Sequence, residues 1–180
     1  DKLRRIAAGA QRIMMFARDL VSYAKPAGSE PELISLSQVV RQSLSFCEHL
    51  FDKAHVELEQ QLDDRLPPVC AVPGQLEQVV INLVTNAVQA CGEEGRVLVR
   101  THRAKEGGVT VSVADTGPGV PEAEREKVFE PFFTTKTDGT GTGLGLSIVR
   151  NILEQHRGSV RVIPSDLGGA LFVCELPAAI

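Results

Sequence analysis

The sequence predicts an α/β fold, and two features of the 180-residue chain support this prediction. Segments with the apolar spacing of amphipathic helices are interspersed with short apolar segments that are typical of strands. A glycine-rich stretch, from Asp138 to Gly145, leads directly into an apolar run with the pattern of a helix. With 43% hydrophobic residues, the chain has enough apolar side chains to bury a core.

Composition and charge exclude several classes of protein. The net charge of -4 argues against a nucleic-acid surface, which is normally basic. The sequence contains no apolar run of the roughly 18 residues that a membrane helix needs, and no signal-peptide pattern. The four cysteines lack metal-like spacing, so we expect reduced thiols and a cytoplasmic location. We therefore expect neither nucleic acid nor membrane as a partner.

A long helix is predicted over residues 1–25, ended by Pro26. Its apolar residues recur in alternating steps of three and four, the heptad pattern of helices that pack together. We predict a partner helix from another chain or from a missing segment, with packing on the following domain as the alternative. The chain begins without Met and within this helix, which suggests a fragment of a longer protein. Residues 1–26 are thus one unit, residues 27–36 a linker, and residues 37–180 a single domain.

The elements of that domain follow from the same patterns. Ser35 or Ser37 is suited to cap the first helix. Helices are predicted over residues 38–54, 74–91, 121–128 and 144–156. Strands are predicted over residues 56–62, 69–72, 96–103, 109–114, 159–163 and 170–176.

The glycine-rich stretch indicates an anion-binding loop or, alternatively, a flexible connection. Its alternate glycines let backbone amides approach an anion closely, and the helix that follows offers unpaired N–H groups. The stretch lacks the Gly-Lys-Ser/Thr of a P-loop. The residues before it, Thr134 to Thr137, are not an apolar strand, so the dinucleotide fingerprint lacks its context.

The predicted helix over residues 74–91 is apolar on two sides and carries a narrow stripe of amides. Gln78, Asn82, Asn86 and Gln89 form this stripe. The stripe is either satisfied by caps and water or is a metal or ligand site. An amide oxygen is a hard ligand suited to Mg²⁺, which completes its shell with water and phosphate oxygens.

An aspartate, Asp115, ends the strand predicted over residues 109–114 and is followed closely by Gly117 and Gly119. A carboxylate accepts a hydrogen bond from the exocyclic amine of a base, and glycines leave room for a flat ring. The alternative is an ordinary strand-to-loop turn. Farther on, three phenylalanines within residues 129–133 predict a hydrophobic anchor for the loop that follows.

These segments, in this order, resemble the catalytic ATP-binding domain of bacterial sensor histidine kinases. Glu77–Ala90 is similar to the asparagine box of that family, and Asp115–Gly119 to its first glycine box. Phe129–Phe133 is similar to the phenylalanine box, and Gly139–Gly145 to the second glycine box. Four motifs in order are far more specific than any one of them.

The resemblance extends over residues 37–178. Phe132–Lys136 and Asn86–Ala90 are most similar to the nitrogen-regulation-type kinases. Residues 1–25 resemble the second helix of the dimerisation and phosphoacceptor hairpin, which implies a homodimer through this helix. The sequence departs from the family pattern at Val72, where relatives often have Asp, and at Ala170, where many have Thr.

The resemblance implies a two-layer sandwich preceded by one long helix. Three helices would cover one face of a mixed, mainly antiparallel sheet of five strands. It implies ATP and Mg²⁺ as ligands. The γ-phosphate would pass to a histidine on the first hairpin helix and then to an aspartate of a response-regulator receiver domain.

Residue roles are also implied by the resemblance. Asn86 would hold Mg²⁺ with Asn82 beside it, and Asp115 would read the adenine amine. Many relatives carry a basic residue at the position of Gln89 as a phosphate contact, and our hypothesis is that Lys136 supplies this cation here. Residues 134–143 would form a lid over the triphosphate. The remaining implied ATP-binding residues are Gly117, Gly119, Phe133, Thr134, Thr135, Gly141, Thr142, Gly143, Leu144 and Gly145.

Two alternatives remain open. A gyrase- or mismatch-repair-type ATPase would carry a glutamate base one turn before the metal-binding asparagine, and here that position is Asn82, which is not a base. The other alternative is a nucleotide-binding dimerisation module without chemistry. No histidine lies in a His-Glu phosphoacceptor motif, so we expect the acceptor outside this chain and surface or structural roles for the histidines: His49, His55, His102 and His156.

Overall fold

The structure is a computed structural model that describes residues 30–92, 94–105, 107–136 and 141–179. The long helix predicted over residues 1–25 lies outside these ranges, so that helix and its partner stay predictions.

Three α-helices form in the described ranges, close to their predicted positions. They are α1 (Leu36–Ala54), α2 (Pro73–Cys91) and α3 (Gly145–Gln155). Ser35 caps α1, because its hydroxyl oxygen accepts the N–H of Gln38 at 3.4 Å. None of these described helices combines the length and the apolar character needed to cross a membrane.

Within the part of the chain that the structure describes, seven strands form two sheets. They are β1 (Glu32–Ile34), β2 (Glu57–Leu62), β3 (Val69–Ala71), β4 (Arg96–Arg103), β5 (Val109–Asp115), β6 (Ser159–Pro164) and β7 (Ala170–Leu176). The main sheet has the order β2-β4-β5-β7-β6. Strands β2 and β4 are parallel, and the other neighbours are antiparallel. The predicted five-stranded, mixed and mainly antiparallel sheet is therefore confirmed.

The core lies between this sheet and the three helices. Every second residue of the central strands is buried in it, as the pleat requires, including Val97 and Val99 on β4 and Val111 and Val113 on β5. Helix α2 lies between α1 and α3 and also packs on β4 and β5. This central position accounts for its two apolar sides.

The predicted linker over residues 27–36 is wrong in its second half. Strand β1 pairs antiparallel with β3, and Leu36, at the start of α1, is buried at 1% exposure. The folded domain therefore begins before residue 37. Three residues are too few to show the alternation of a strand, and the pairing partner lies far along the chain.

The single helix predicted over residues 121–128 is also wrong. The chain forms two short 3₁₀ turns there, Glu122–Glu124 and Lys127–Phe129. Large apolar residues occur only at Val128 and Phe129, so the segment lacks the apolar face that would hold a longer α-helix on the core.

The buried His156 joins the end of α3 to the start of α2. Val72, the residue that precedes α2, makes no capping hydrogen bond through its side chain. The Nε2 atom of His156 accepts the N–H of Val72 at 3.1 Å, and its Nδ1 atom donates to the carbonyl of Ile152 at 2.7 Å. The ring therefore takes the place of a capping side chain and fixes the N-terminus of α2.

Candidate functional site

A cavity of about 1100 Å³ runs along α2. The C-terminal end of β5 and the loop that follows it form one wall, together with the first residues of β7. The residues after Phe132 and the start of α3 form another. All the residues that the resemblance implies for ATP binding line it except Gly117 and Leu144.

The contacts of α2 give the cavity an order along the helix axis. Asn82 contacts the start of α3, Asn86 contacts Lys136, and Ala90 lies against Gly117 beside the end of β5. At 1.5 Å per residue, Asn82 and Ala90 are about 12 Å apart along the helix. The two ends of the cavity therefore differ in chemistry.

Asp115 lies at the Ala90 end and is buried at 1% exposure. Its Oδ1 atom accepts the backbone N–H groups of Gly117 at 2.9 Å and of Ala170 at 3.1 Å. Burial raises the pKa of this carboxyl, and the two backbone donors partly offset that rise. Its Oδ2 atom has no hydrogen-bond partner among the described residues, and Asp115 lines the cavity. The site thus presents a carboxylate acceptor in a mostly apolar pocket.

Gly169 is a site residue that the sequence analysis missed. Its N–H donates to the carbonyl of Asp115 at 3.2 Å, and a Cβ atom here would collide with the side chain of Asp115. Only glycine therefore lets the turn before β7 approach Asp115 so closely. The sequence showed an ordinary glycine turn, because the contact joins segments that are far apart in the chain.

The two glycines after Asp115 differ in their surroundings. Gly117 packs on α2, where a Cβ atom would lie 2.8 Å from the carbonyl oxygen of Ala90, and it does not line the cavity. Gly119 lines the cavity and has a positive φ of 75°. Gly117 therefore holds the end of β5 against α2, and Gly119 turns the chain beside the pocket.

Lys136 provides positive charge beside Asn86 and Gln89 of α2. Its Nζ atom donates to Gln89 Oε1 at 2.5 Å and to Asn86 Oδ1 at 3.4 Å. Among the described residues that line the cavity, Lys136 is the only lysine or arginine. An anionic ligand would therefore find its side-chain cation at this point.

Both the oxygen and the nitrogen of the Asn82 side-chain amide form hydrogen bonds within the protein. Its Oδ1 atom accepts from Gln78 Nε2 at 2.9 Å, and its Nδ2 atom donates to the carbonyl of Gly145 at 3.1 Å. Asn82 thus ties α2 to the first residue of α3. Since an amide does not titrate, this position offers no base.

The N-terminus of α3 faces the cavity through Gly145 and Leu146. The side chain of its N-cap residue, Leu144, makes no capping hydrogen bond, and the first N–H groups of the helix and their partial positive charge favour an anion. Leu144 precedes it and is buried in the core at 1% exposure, and its predicted contact with ATP stays a prediction. Residues 137–140 of the predicted lid lie outside the described residues.

Gly141 and Gly143, which follow those four residues, also line the cavity. Gly143 has a φ of 69°, and a Cβ atom there would lie 2.5 Å from the backbone of Phe132. Its carbonyl accepts the N–H of Phe132 at 2.8 Å. This contact joins the chain at Phe132 to the chain at Gly143.

A divalent metal would fit this site together with phosphate oxygens, but not alone. The described residues contain no group of three or more His, Cys, Asp or Glu side chains that could hold a metal. Asn86 offers one hard amide oxygen at the cavity wall. Mg²⁺ suits such a site, because it takes few protein ligands and fills its shell with water and phosphate.

The sequence analysis also missed residues of the apolar wall. Ile81, Val120, Val128 and Phe172 line the cavity, as does the exposed His49, whose Nδ1 atom donates to the carbonyl of Phe46 at 3.1 Å. Apolar residues of this kind resemble core residues in sequence, so no signal in the sequence distinguishes them.

Comparisons with known proteins agree on one family. Residues 71–180 match the family model described as histidine kinase-, DNA gyrase B- and HSP90-like ATPase. Over 175 residues, 97% of the chain, the sequence is 35% identical to the sensor histidine kinase ZraS of Escherichia coli O157:H7. The chain spans 38% of the length of that relative.

Two solved structures resemble the fold closely. The catalytic domain of histidine kinase ThkA has a TM-score of 0.74 and 37% identity, covering 83% of this chain and 96% of that one. A crystal structure of ThkA in complex with the response regulator TrrA has a TM-score of 0.81 and 30% identity. That match covers 99% of this chain and 51% of the other.

Proposed function

Since this chain belongs to the histidine kinase-, DNA gyrase B- and HSP90-like ATPase family and has the ATP-binding catalytic domain of a sensor histidine kinase, we propose that its cavity binds ATP with Mg²⁺ for phosphoryl transfer. The acceptor is a histidine on a dimerisation hairpin of the longer protein. From there the phosphoryl group passes to an aspartate of a response-regulator receiver domain.

The observation that carries this proposal is the polarity of the cavity along α2. The buried carboxylate of Asp115 lies beside Ala90, and the N-terminus of α3 lies at the Asn82 end of the helix. The Lys136 ammonium lies between these two points, at Asn86 and Gln89. ATP has the same polarity, with an amine donor on its base and negative charge on its phosphates. Asp115 Oδ2 accepts the adenine amine, while Lys136 and the α3 amides face the phosphates.

Phosphoryl transfer requires mainly positioning and charge stabilisation. When bound, Mg²⁺ would neutralise charge at the phosphates. Asn86 would hold it through its Oδ1 atom. Lys136 adds a fixed positive charge beside Asn86. Asn82 keeps the start of α3 aligned with α2, so the helix amides stay directed at the phosphates.

The partners of the longer protein form part of the proposal. The structure of ThkA with a response regulator supports a receiver domain as the partner of this chain. Residues 1–25 would form the homodimer through their heptad face. The cytoplasm is the location that we infer, since it supplies both ATP and a reducing environment.

ATP titration tests the site. We expect calorimetry to show ATP binding that weakens when Mg²⁺ is withheld. We expect weaker binding of GTP, because guanine carries a carbonyl where adenine carries the amine and Asp115 offers an acceptor. Absence of ATP binding, or equal affinity for GTP, would contradict the assignment.

Asn82 supports a kinase over a gyrase-type ATPase. Water activation requires a base one turn before the metal-binding residue, and Asn82 occupies that position. Its amide oxygen and nitrogen are hydrogen-bonded to Gln78 and Gly145. The same ATP samples, followed by ADP release, should show negligible turnover without an acceptor. Sustained hydrolysis would favour the ATPase alternative.

A further inference from the structure

Among the described residues, one side-chain cation lies at the phosphate end of the cavity, and it comes from outside α2. Helix α2 contains no lysine or arginine, although it supplies the amides at this end. Lys136 is the one lysine or arginine among the described residues that line the cavity. A triphosphate carries several negative charges, so the position of this ammonium group matters for its affinity.

Gln89 is the closer of the two α2 residues that hold this ammonium. Lys136 Nζ lies 2.5 Å from Gln89 Oε1 and 3.4 Å from Asn86 Oδ1. Because Gln89 and Asn86 are three residues apart on a helix, they lie on the same face. Gln89 therefore fixes the ammonium beside the amide assigned to Mg²⁺.

A backbone hydrogen bond and a glycine allow the Lys136 side chain to reach α2. The N–H of Lys136 donates to Thr134 Oγ1 at 3.1 Å. A Cβ atom on Gly141 would lie 2.7 Å from that hydroxyl and 3.2 Å from Cδ of Lys136. Glycine at 141 thus leaves room for the aliphatic part of Lys136 as it extends towards α2.

We propose that Gln89 is a positioning residue, whose neutral amide oxygen holds the Lys136 ammonium beside Asn86 at the phosphate end of the cavity. The proposal rests on the proposed function, since it concerns ATP binding at the same site. Neutrality is essential to this role. An amide orients the ammonium without cancelling its charge, whereas a carboxylate at position 89 would neutralise it.

The test compares ATP with adenosine in four variants, by calorimetry with Mg²⁺. We expect Gln89→Leu, Gln89→Glu and Lys136→Gln each to weaken ATP binding about tenfold, with adenosine binding unchanged. The fourth variant combines Gln89→Lys with Lys136→Gln. It delivers an ammonium to the same place from α2, so it should recover most of the lost affinity for ATP.

Three results would overturn the proposal. Gln89→Leu with normal ATP affinity, beside a weakened Lys136→Gln, would show that Lys136 acts without Gln89. A double variant no better than Lys136→Gln would show that an ammonium brought from position 89 does not serve the phosphates. Equal losses for ATP and adenosine would indicate a structural role for Gln89. If the unaltered protein binds no ATP, the proposed function itself fails.

Discussion

Replacing Asn86 by aspartate is expected to weaken ATP binding in the presence of Mg²⁺ by about 2–4 kcal/mol, the interaction of two charges near a protein surface. Two effects add. The new carboxylate repels the phosphates, and it pairs with the Lys136 ammonium, which now lies 3.4 Å from Asn86 Oδ1. The metal shell also changes, because a neutral ligand becomes charged.

The measurement is calorimetric titration with ATP at fixed Mg²⁺ and again without the metal. Asn151→Asp is the matched control, because Asn151 lies on α3, does not line the cavity and has a similar local bond, from Gln155 Nε2 at 2.8 Å. The control should bind ATP normally. If Asn86→Asp binds ATP as well as Asn151→Asp does, with and without Mg²⁺, Asn86 is not at the phosphates.

Asp115→Asn should reduce ATP affinity by about 1.5–3 kcal/mol and remove the preference for ATP over GTP. The substitution keeps the shape of the side chain, and its carbonyl oxygen is still able to accept from Gly117 and Ala170. The remaining group, however, becomes an N–H donor directed at the adenine amine, which is also a donor. Adenine recognition is therefore lost while the phosphate end is unchanged.

The same variant should retain its stability. Burial raises the pKa of Asp115, so the folded protein binds this proton more tightly than the unfolded chain, whose Asp pKa is about 3.9. Stability from this group is thus lost as the pH rises from the unfolded pKa through the raised folded pKa. At pH 7 the buried carboxylate lowers the free energy of unfolding, and Asp115→Asn removes that penalty.

Thermal unfolding at pH 7, with nucleotide titration of the same samples, separates the two effects. Asp52→Asn, an exposed change on α1, is the control and should alter neither quantity. We expect Asp115→Asn to lose ATP selectivity with no fall in Tm. A variant that unfolds at lower temperature but discriminates ATP from GTP normally would make Asp115 a structural residue.

Local patterns were sufficient to predict most of the fold. The apolar periodicity of α1, α2 and α3 gave these helices to within two residues, because each packs a long face on the core. Strand β1 was missed, since its formation depends on pairing with β3 rather than on its own three residues. The 3₁₀ turns Glu122–Glu124 and Lys127–Phe129 were predicted as one helix, although the segment lacks the apolar face that would hold an α-helix on the core.

The site was less predictable than the fold. Asn86 and Asp115 were singled out by residue type and position, and Lys136 through the family resemblance, and all three line the cavity. The requirement for glycine at 169 was not identifiable, because it arises from contact with Asp115 at the end of the neighbouring strand. Leu144 is a core residue, and its predicted contact with ATP stays a prediction.

The most direct test of the account is transfer of the γ-phosphate to a separate hairpin. The chain should bind ATP yet leave its own histidines unlabelled, because none lies in the acceptor motif. Given a separately prepared hairpin that contains the first helix and its histidine, it should phosphorylate that histidine slowly, since tethering no longer raises the effective concentration. Mass spectrometry under conditions that preserve phosphohistidine detects both outcomes. Label on the hairpin histidine supports the account, whereas stable label on His49, His55, His102 or His156, or none on the hairpin despite ATP binding, would contradict it.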